Sequence, residues 1–113
     1  MTKNAKQPKP ARLSAIDEDI LTVLNNQREL YGLEILDCLN LGREDNLGSK
    51  LGFGSLYPAL NRLEKKGLIS WRWGDEEEVS GGARRKYYKI TGYGVNSLNA
   101  VQKYRIQLAG QAY

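Results

Sequence analysis

The chain predicts a mainly α fold with a small β-hairpin and a further C-terminal helix. Three observations carry this expectation. Three successive segments repeat apolar residues at helical spacing. Two short alternating segments rich in aromatic and β-branched residues follow them. A last segment with spacings of three and four closes the sequence.

The first helix should begin at Ser14. This serine is a suitable N-cap, and Asp17 lies three residues on, close to a capping-box arrangement. Asp17, Glu18 and Asp19 fill the first turn, where carboxylates favour the positive helix end. Ile16, Ile20, Val23 and Leu24 give the apolar face, and the helix should end near Asn25–Asn26. A second helix is expected from about Tyr31 to Leu41. Tyr31, Leu33, Ile35, Leu36 and Leu39 would face inward, with Gly42 as the C-cap. Cys38 falls within it and reads first as a packed structural thiol, with a redox sensor as the other reading.

Residues 42–52 are rich in glycine and polar side chains and read as a loop. The third helix should run from Phe53 to Lys66, stopped by Gly67. At 100° per residue, Phe53, Leu56, Leu60 and Leu63 form one stripe. Gly54, Pro58, Asn61 and Lys65 form the opposite one, with Ser55 and Arg62 beside them. Leu68–Trp73 and Arg85–Thr91 read as paired strands around a long tip, and Thr91 can cap a final helix to about Ala109.

Three helices followed by a hairpin make the winged helix-turn-helix arrangement. Three regions are expected: a disordered basic arm at 1–13, the winged domain at 14–91 and a C-terminal dimerisation helix at 92–113. At 113 residues the chain has room for one domain and one modest core. No apolar run approaches the length of a membrane span, and no apolar stretch follows the basic N-terminus as in a secretory signal. The expected location is cytoplasmic. A single cysteine leaves no internal disulfide. The absence of histidine removes Ser-His-Asp and Cys-His pairs and leaves a zinc site only carboxylates to work with. Neither an enzyme, a metal nor a cofactor is expected.

The net charge is +4, unevenly spread. Residues 13–42 carry six acids against one base, whereas 43–67 carry five bases against three acids. This pattern suits a molecule with one face turned to a polyanion. A major groove about 12 Å wide admits one helix, and the third helix has a small, polar and then cationic outer face. On it, Ser55 could donate to phosphate, Asn61 could pair with adenine and Arg62 with guanine. Lys65 and Lys66 could meet phosphates. Gly54 and Ala59 would permit close approach. An ordinary solvated helix face has the same character. In the hairpin, Arg84, Arg85 and Lys86 follow the Ser80-Gly81-Gly82 turn and could grip a phosphate backbone, as could Lys50. The four acids Asp75–Glu78 oppose such a role at the tip. Either the tip points away from the nucleic acid or the acids fold back onto the basic triplet.

The stretch Gly54-Ser55-Leu56-Tyr57-Pro58-Ala59-Leu60-Asn61-Arg62-Leu63-Glu64, continuing to Ile69, resembles the recognition helix of the PadR family of phenolic-acid-responsive and related transcriptional regulators. Arg85-Lys86-Tyr87-Tyr88-Lys89-Ile90-Thr91 with Gly94 resembles that family's second wing strand and the entry to its last helix. Tyr31-Gly32-Leu33-Glu34-Ile35 resembles the opening of its second helix. Gly81-Gly82-Ala83 departs from the family, which often has proline there. The resemblance implies a homodimer, usually a repressor, on a palindromic DNA operator. Ser55, Tyr57, Asn61, Arg62 and Lys65 would enter the major groove or touch its flanks. Leu98, Val101, Tyr104 and Leu108 would form the dimer interface. The implied partners are double-stranded DNA, a second copy and an unidentified small-molecule effector. A protein-binding winged helix, using the acidic segments, is the rival reading.

Overall fold

A computed structural model describes residues 9–26 and 29–112. Helix α1 (Ala15–Asn26) leads through the short strand β1 (Leu30–Tyr31) into α2 (Gly32–Leu47), and α3 (Phe53–Lys65) follows. Strand β2 (Ile69–Trp73) and strand β5 (Lys86–Ile90) form the wing. Between them lies a small hairpin of β3 (Val79–Ser80) and β4 (Ala83–Arg84), and α4 (Gly92–Ala109) closes the fold. This is the winged helix-turn-helix that the order of periodicities predicts.

The capping box at the start of α1 forms as expected. The Ser14 amide donates to Asp17 Oδ2 at 3.0 Å, and the Asp17 amide donates to Ser14 Oγ at 3.2 Å. At α4 the Gly94 amide donates to Thr91 Oγ1 at 3.0 Å, and the Thr91 hydroxyl donates to the Gly67 carbonyl at 2.7 Å. One threonine therefore starts α4 and ties it to the end of α3.

The sheet has the order β1-β5-β2 and is antiparallel. The pairing of Ile69 with Ile90 and of Trp71 with Tyr88 puts these side chains on the face turned to the helices. Leu30 and Tyr31 supply a third strand too short to show a period in the sequence. The wing tip is a tight two-residue turn. Gly81 (φ 58°) and Gly82 (φ 81°) occupy the left-handed positions that such a turn demands, and Ser80 pairs with Ala83 across it.

The core joins Ile20, Leu21 and Leu24 of α1 to Ile35, Leu36 and Leu39 of α2. Leu56, Ala59, Leu60 and Leu63 of α3, with Leu68, Ile69, Tyr88 and Leu98, complete it. Leu33 and Phe53, expected inside, are exposed. Gly42 does not stop α2. The helix continues to Leu47, and Gly48 at φ 66° provides the left-handed cap. The Asn46 side-chain amide donates to the Gly42 carbonyl at 2.9 Å, supporting the backbone where the glycine is weak. Cys38 is exposed on α2, not packed.

The expected arm at 1–13 needs a boundary change. Residues 1–8 lie outside the described residues, but 9–13 are held on the domain. The Ala11 amide donates to the buried Ser97 hydroxyl at 2.9 Å, and the Tyr93 hydroxyl donates to the Lys9 carbonyl at 3.0 Å.

Gly94 sits where α4 crosses the end of β5. A Cβ there would run into the Leu68 carbonyl and the Ile90 side chain. Gly94→Ala should therefore destabilise the fold by about 1–3 kcal/mol, the usual cost of overpacking. A lowered urea midpoint with an unchanged slope is the expected measurement.

Candidate nucleic-acid interface

Helix α3 is divided sharply along its length. Leu56, Ala59, Leu60 and Leu63 are between 0% and 1% exposed, whereas Gly54, Ser55, Pro58, Asn61 and Lys65 are open to solvent. Ala59, expected on the outer face, is instead part of the core. Pro58 is the sixth residue of α3, past the early amides that lack helical partners, so it leaves the Gly54 carbonyl without its helical donor, on the exposed side of the helix.

The start of α3 is fixed by a residue that the sequence reading passes over. Asn40 of α2 donates from Nδ2 to the Leu51 carbonyl at 2.9 Å and accepts from the Leu51 amide at 2.8 Å. The side-chain amide thus acts as a backbone pair and sets the path of the 48–52 connection. The only sequence signal is a polar residue set between Leu39 and Leu41. Lys50 lies on this connection, exposed, with its ammonium 3.4 Å from Glu44.

Arg62, expected to read guanine, reaches toward α1 with 41% of its side chain still exposed. Its Nη2 lies 2.6 Å from Asp17 Oδ1, and the Asp17 side chain is 2% exposed. A buried carboxylate needs a partner, because desolvation of an unpaired charge is costly. Burial pushes the Asp17 pKa up. The hydrogen bond from Arg62, the Ser14 amide and hydroxyl and the guanidinium charge outweigh it, and the net value falls below the ordinary 3.8. Two residues on, Glu64 Oε2 accepts from Trp71 Nε1 at 2.9 Å, which joins α3 to the wing.

The wing base carries its three cations on aromatic rings. Arg85 lies 4.1 Å from the centre of the Tyr31 ring, and the Lys86 ammonium lies 4.1 Å from that of Trp71. Arg84 sits 5.7 Å from the Trp73 ring and donates from Nε and Nη2 to the Gly74 carbonyl. Such stacking positions a cation without neutralising it. Arg84, Arg85 and Lys86 share a cleft of about 290 Å³ with Tyr57 of α3, Tyr31 and Trp73. Tyr57 stacks on Phe53 and is 43% exposed. At the cleft floor, burial, with Tyr57 and Glu64 adding to it, pushes the Tyr88 phenol up to about 12, so it stays neutral.

The acidic run folds back at one point. Glu78 accepts from the Tyr87 hydroxyl at 2.8 Å and from the Asp75 amide at 2.7 Å, and these bonds hold its carboxyl below its ordinary range. Arg85 in turn donates to the Tyr87 hydroxyl at 3.3 Å. On the same face of the sheet as Tyr87, Arg72 lies 4.9 Å from the centre of that ring and forms a forked pair with Glu29.

The expected dimer residues divide. Leu98, expected at the dimer interface, is 1% exposed and belongs to the core of its own domain, and Val101 packs partly against the same core. Tyr104 and Leu108 are exposed on the free end of α4. Among the described residues, no helix is long and apolar enough to cross a membrane.

The fold and the bare face of α3 beside a cationic wing define the class of winged-helix regulators. The family model of PadR-like transcriptional regulators matches residues 20–100, and the chain belongs to that family. A protein of Lysinibacillus sphaericus is 34% identical over 86 residues, 76% of this chain and 74% of that protein. A PadR-like transcription factor from Bacteroides fragilis is 29% identical with a TM-score of 0.69, covering 83% of this chain and 82% of that one. A PadR-family regulator from Clostridium difficile is 32% identical with a TM-score of 0.62, covering 85% and 93%.

The Asp17 carboxylate has a pH signature. Its folded pKa is lowered, so its contribution is complete above the unfolded value near 3.8 and is lost as pH falls through the folded value. Asp17→Asn should be less stable than the parent at pH 7. The gap in urea midpoint should narrow as the pH is taken below 4.

Proposed function

We propose that the chain is a sequence-specific DNA-binding transcriptional regulator that acts as a homodimer, usually repressing from a palindromic operator. The observation that carries this reading is the exposed stripe of α3, small at Gly54 and Ser55 and polar to cationic at Asn61 and Lys65. A helix with this outer face can approach base edges closely while its cationic end meets phosphate.

In this reading α3 is the recognition helix. Asn61 contacts a base edge, while Ser55, Tyr57 and Lys65 contact base edges or flanking phosphates. Lys50 and the wing residues Arg84, Arg85 and Lys86 hold the backbone on either side. Arg62 gives Nη2 to Asp17 and keeps 41% of its side chain exposed, and in this reading it acts by holding the helix rather than by reading a base. The cleft shared by Tyr57 and the wing cations supports a phosphate strand passing between α3 and the wing. Tyr104 and Leu108, exposed on the free end of α4, support pairing with a second copy. A two-fold dimer would set its recognition helices about one DNA turn apart, roughly 34 Å.

The test is selection of bound fragments from genomic DNA, followed by titration on the selected site and on random duplex. Two half-sites about one turn apart are the expected result, and equal affinity for both duplexes would overturn the reading. Replacing Arg84 and Arg85 together by alanine should weaken binding to every sequence and reduce the salt slope by roughly one to two. Asn61→Ala should relax preference at particular base pairs, each worth about 1–3 kcal/mol, with the salt slope kept. Tyr104→Asp with Leu108→Asp should shift the dimer to monomer in sedimentation analysis and lower operator affinity.

A further inference from the structure

A recognition helix must be held along its axis and also about it. Burial of Leu56, Leu60 and Leu63 decides which face of α3 is outward, because a turn of one residue step, about 100°, would expose them. A smaller rotation within that choice is restrained only loosely by apolar packing, which absorbs modest repacking. Directional bonds restrain it more strictly. Two of them leave α3 near its C-terminal end, and they leave on opposite sides.

The exposed stripe is Gly54, Pro58, Asn61 and Lys65. At 100° per residue, Arg62 lies roughly 70° to one side of the centre of this stripe and Glu64 roughly 90° to the other. Arg62 reaches α1 through Asp17 at 2.6 Å. Glu64 reaches β2 through the Trp71 indole at 2.9 Å. The two bonds flank the DNA-facing stripe and tie it to separate elements of the domain. The α1 bond also leads further. The neighbouring carboxylate, Glu18, is held by Arg105 of α4 at 2.7 Å. Asp17 and Glu18 thus join α3 and α4 through one turn of α1.

We propose that Arg62–Asp17 and Glu64–Trp71 are a pair of positioning bonds that set the rotation of the recognition helix, so that these four residues determine sequence discrimination without touching DNA. This rests on the assignment of α3 as the DNA-reading helix. Arg62, the one arginine of α3, acts through Asp17.

The experiment compares the selected operator with random duplex across a salt series, for the parent chain and three variants. The first replaces the ion pair by apolar side chains of similar length, Asp17→Leu with Arg62→Met, an exchange that removes direction while avoiding an unpaired buried charge. The second is Trp71→Phe, which deletes the indole N–H and keeps an aromatic ring under Lys86. The third is Asp17→Asn with Arg62→Gln, which keeps a hydrogen bond without the charges and serves if the apolar pair fails to fold. Thermal unfolding establishes that each variant is folded at the assay temperature.

The expected result is a roughly tenfold or greater loss of operator-over-random discrimination in the first two variants, spread over several base positions. Affinity for random duplex and its salt slope should be unchanged in the Asp17–Arg62 variants, because no phosphate contact is lost; Trp71→Phe, which also alters the ring under Lys86, is read on discrimination alone. The amide pair should recover part of the discrimination. Three results would overturn the proposal. Folded variants could keep full discrimination, making the bonds structural only. The Arg62 variants could lower the salt slope by about one, making Arg62 a phosphate contact. The Arg62 variants could lose preference at one base pair while Trp71→Phe loses none, making Arg62 a base reader. If the parent chain itself binds both duplexes equally, the DNA-reading assignment fails first, and that outcome is visible before any variant is compared.

Discussion

Everything on the interface side depends on α3 being buried on one face and bare on the other. Leu56, Ala59, Leu60 and Leu63 lose essentially all exposure against α1, α2 and the sheet. At about 25 cal/mol per Å² of apolar surface, each buried leucine contributes on the order of 1.5–3 kcal/mol. Isolated helices of this length are marginal in water. Tertiary burial is therefore what makes α3 a helix, and it also decides which residues are left outside. Asn61 and Lys65 are available because Leu60 and Leu63 are not.

The polar part of the fold corrects what apolar packing leaves undetermined. Asp17 is a buried acid in the middle of this packing, and a buried ion pair is weak evidence of net stability. Its value is directional. The same holds for Asn40 against the Leu51 backbone, for Thr91 between α3 and α4 and for Glu64 against Trp71. Each bond joins two elements at a fixed angle. Together they surround α3 at its start, its end and its two flanks.

Much of this was legible in the sequence, and the failures have a common cause. Helical period marked all four helices, and the Ser14 and Thr91 caps were readable because capping uses local geometry. Gly42 misled because a glycine cap and an interior glycine look alike until the left-handed residue is seen at Gly48. Strand β1 was hidden because two residues have no period. By angle alone Arg62 borders the polar face and points outward. The partner that draws it toward α1, Asp17, is 45 positions away in the sequence and reads locally as a first-turn acid favoured by the helix dipole. Asp17 fills both roles, and only the second requires three-dimensional proximity. Leu98 was assigned to a dimer by the same kind of omission, since an apolar residue on a helix does not say whose core it enters.

The wing shows how adjacent like charges can be arranged on a surface by the rings beneath them. Three adjacent cations at residues 84–86 would repel one another and sample many rotamers if left in water. Here each has a ring beneath it, and two have hydrogen-bond acceptors as well. Stacked guanidinium groups keep their charge and lose side-chain freedom, so a phosphate that meets them costs less ordering entropy. The acidic run then has a definite place. Glu78 is held by Tyr87, the hydroxyl to which Arg85 also donates, so one phenol joins the acid to the base. The run therefore opposes the cations locally, at the root of the tip, and leaves the Arg84 and Lys86 side of the cleft to Trp71, Trp73 and Tyr57. The tip is joined to the basic triplet through Tyr87, through the Arg85 amide on the Glu78 carbonyl and through Arg85 on Ser80, so the cations and the acidic run form one bonded unit.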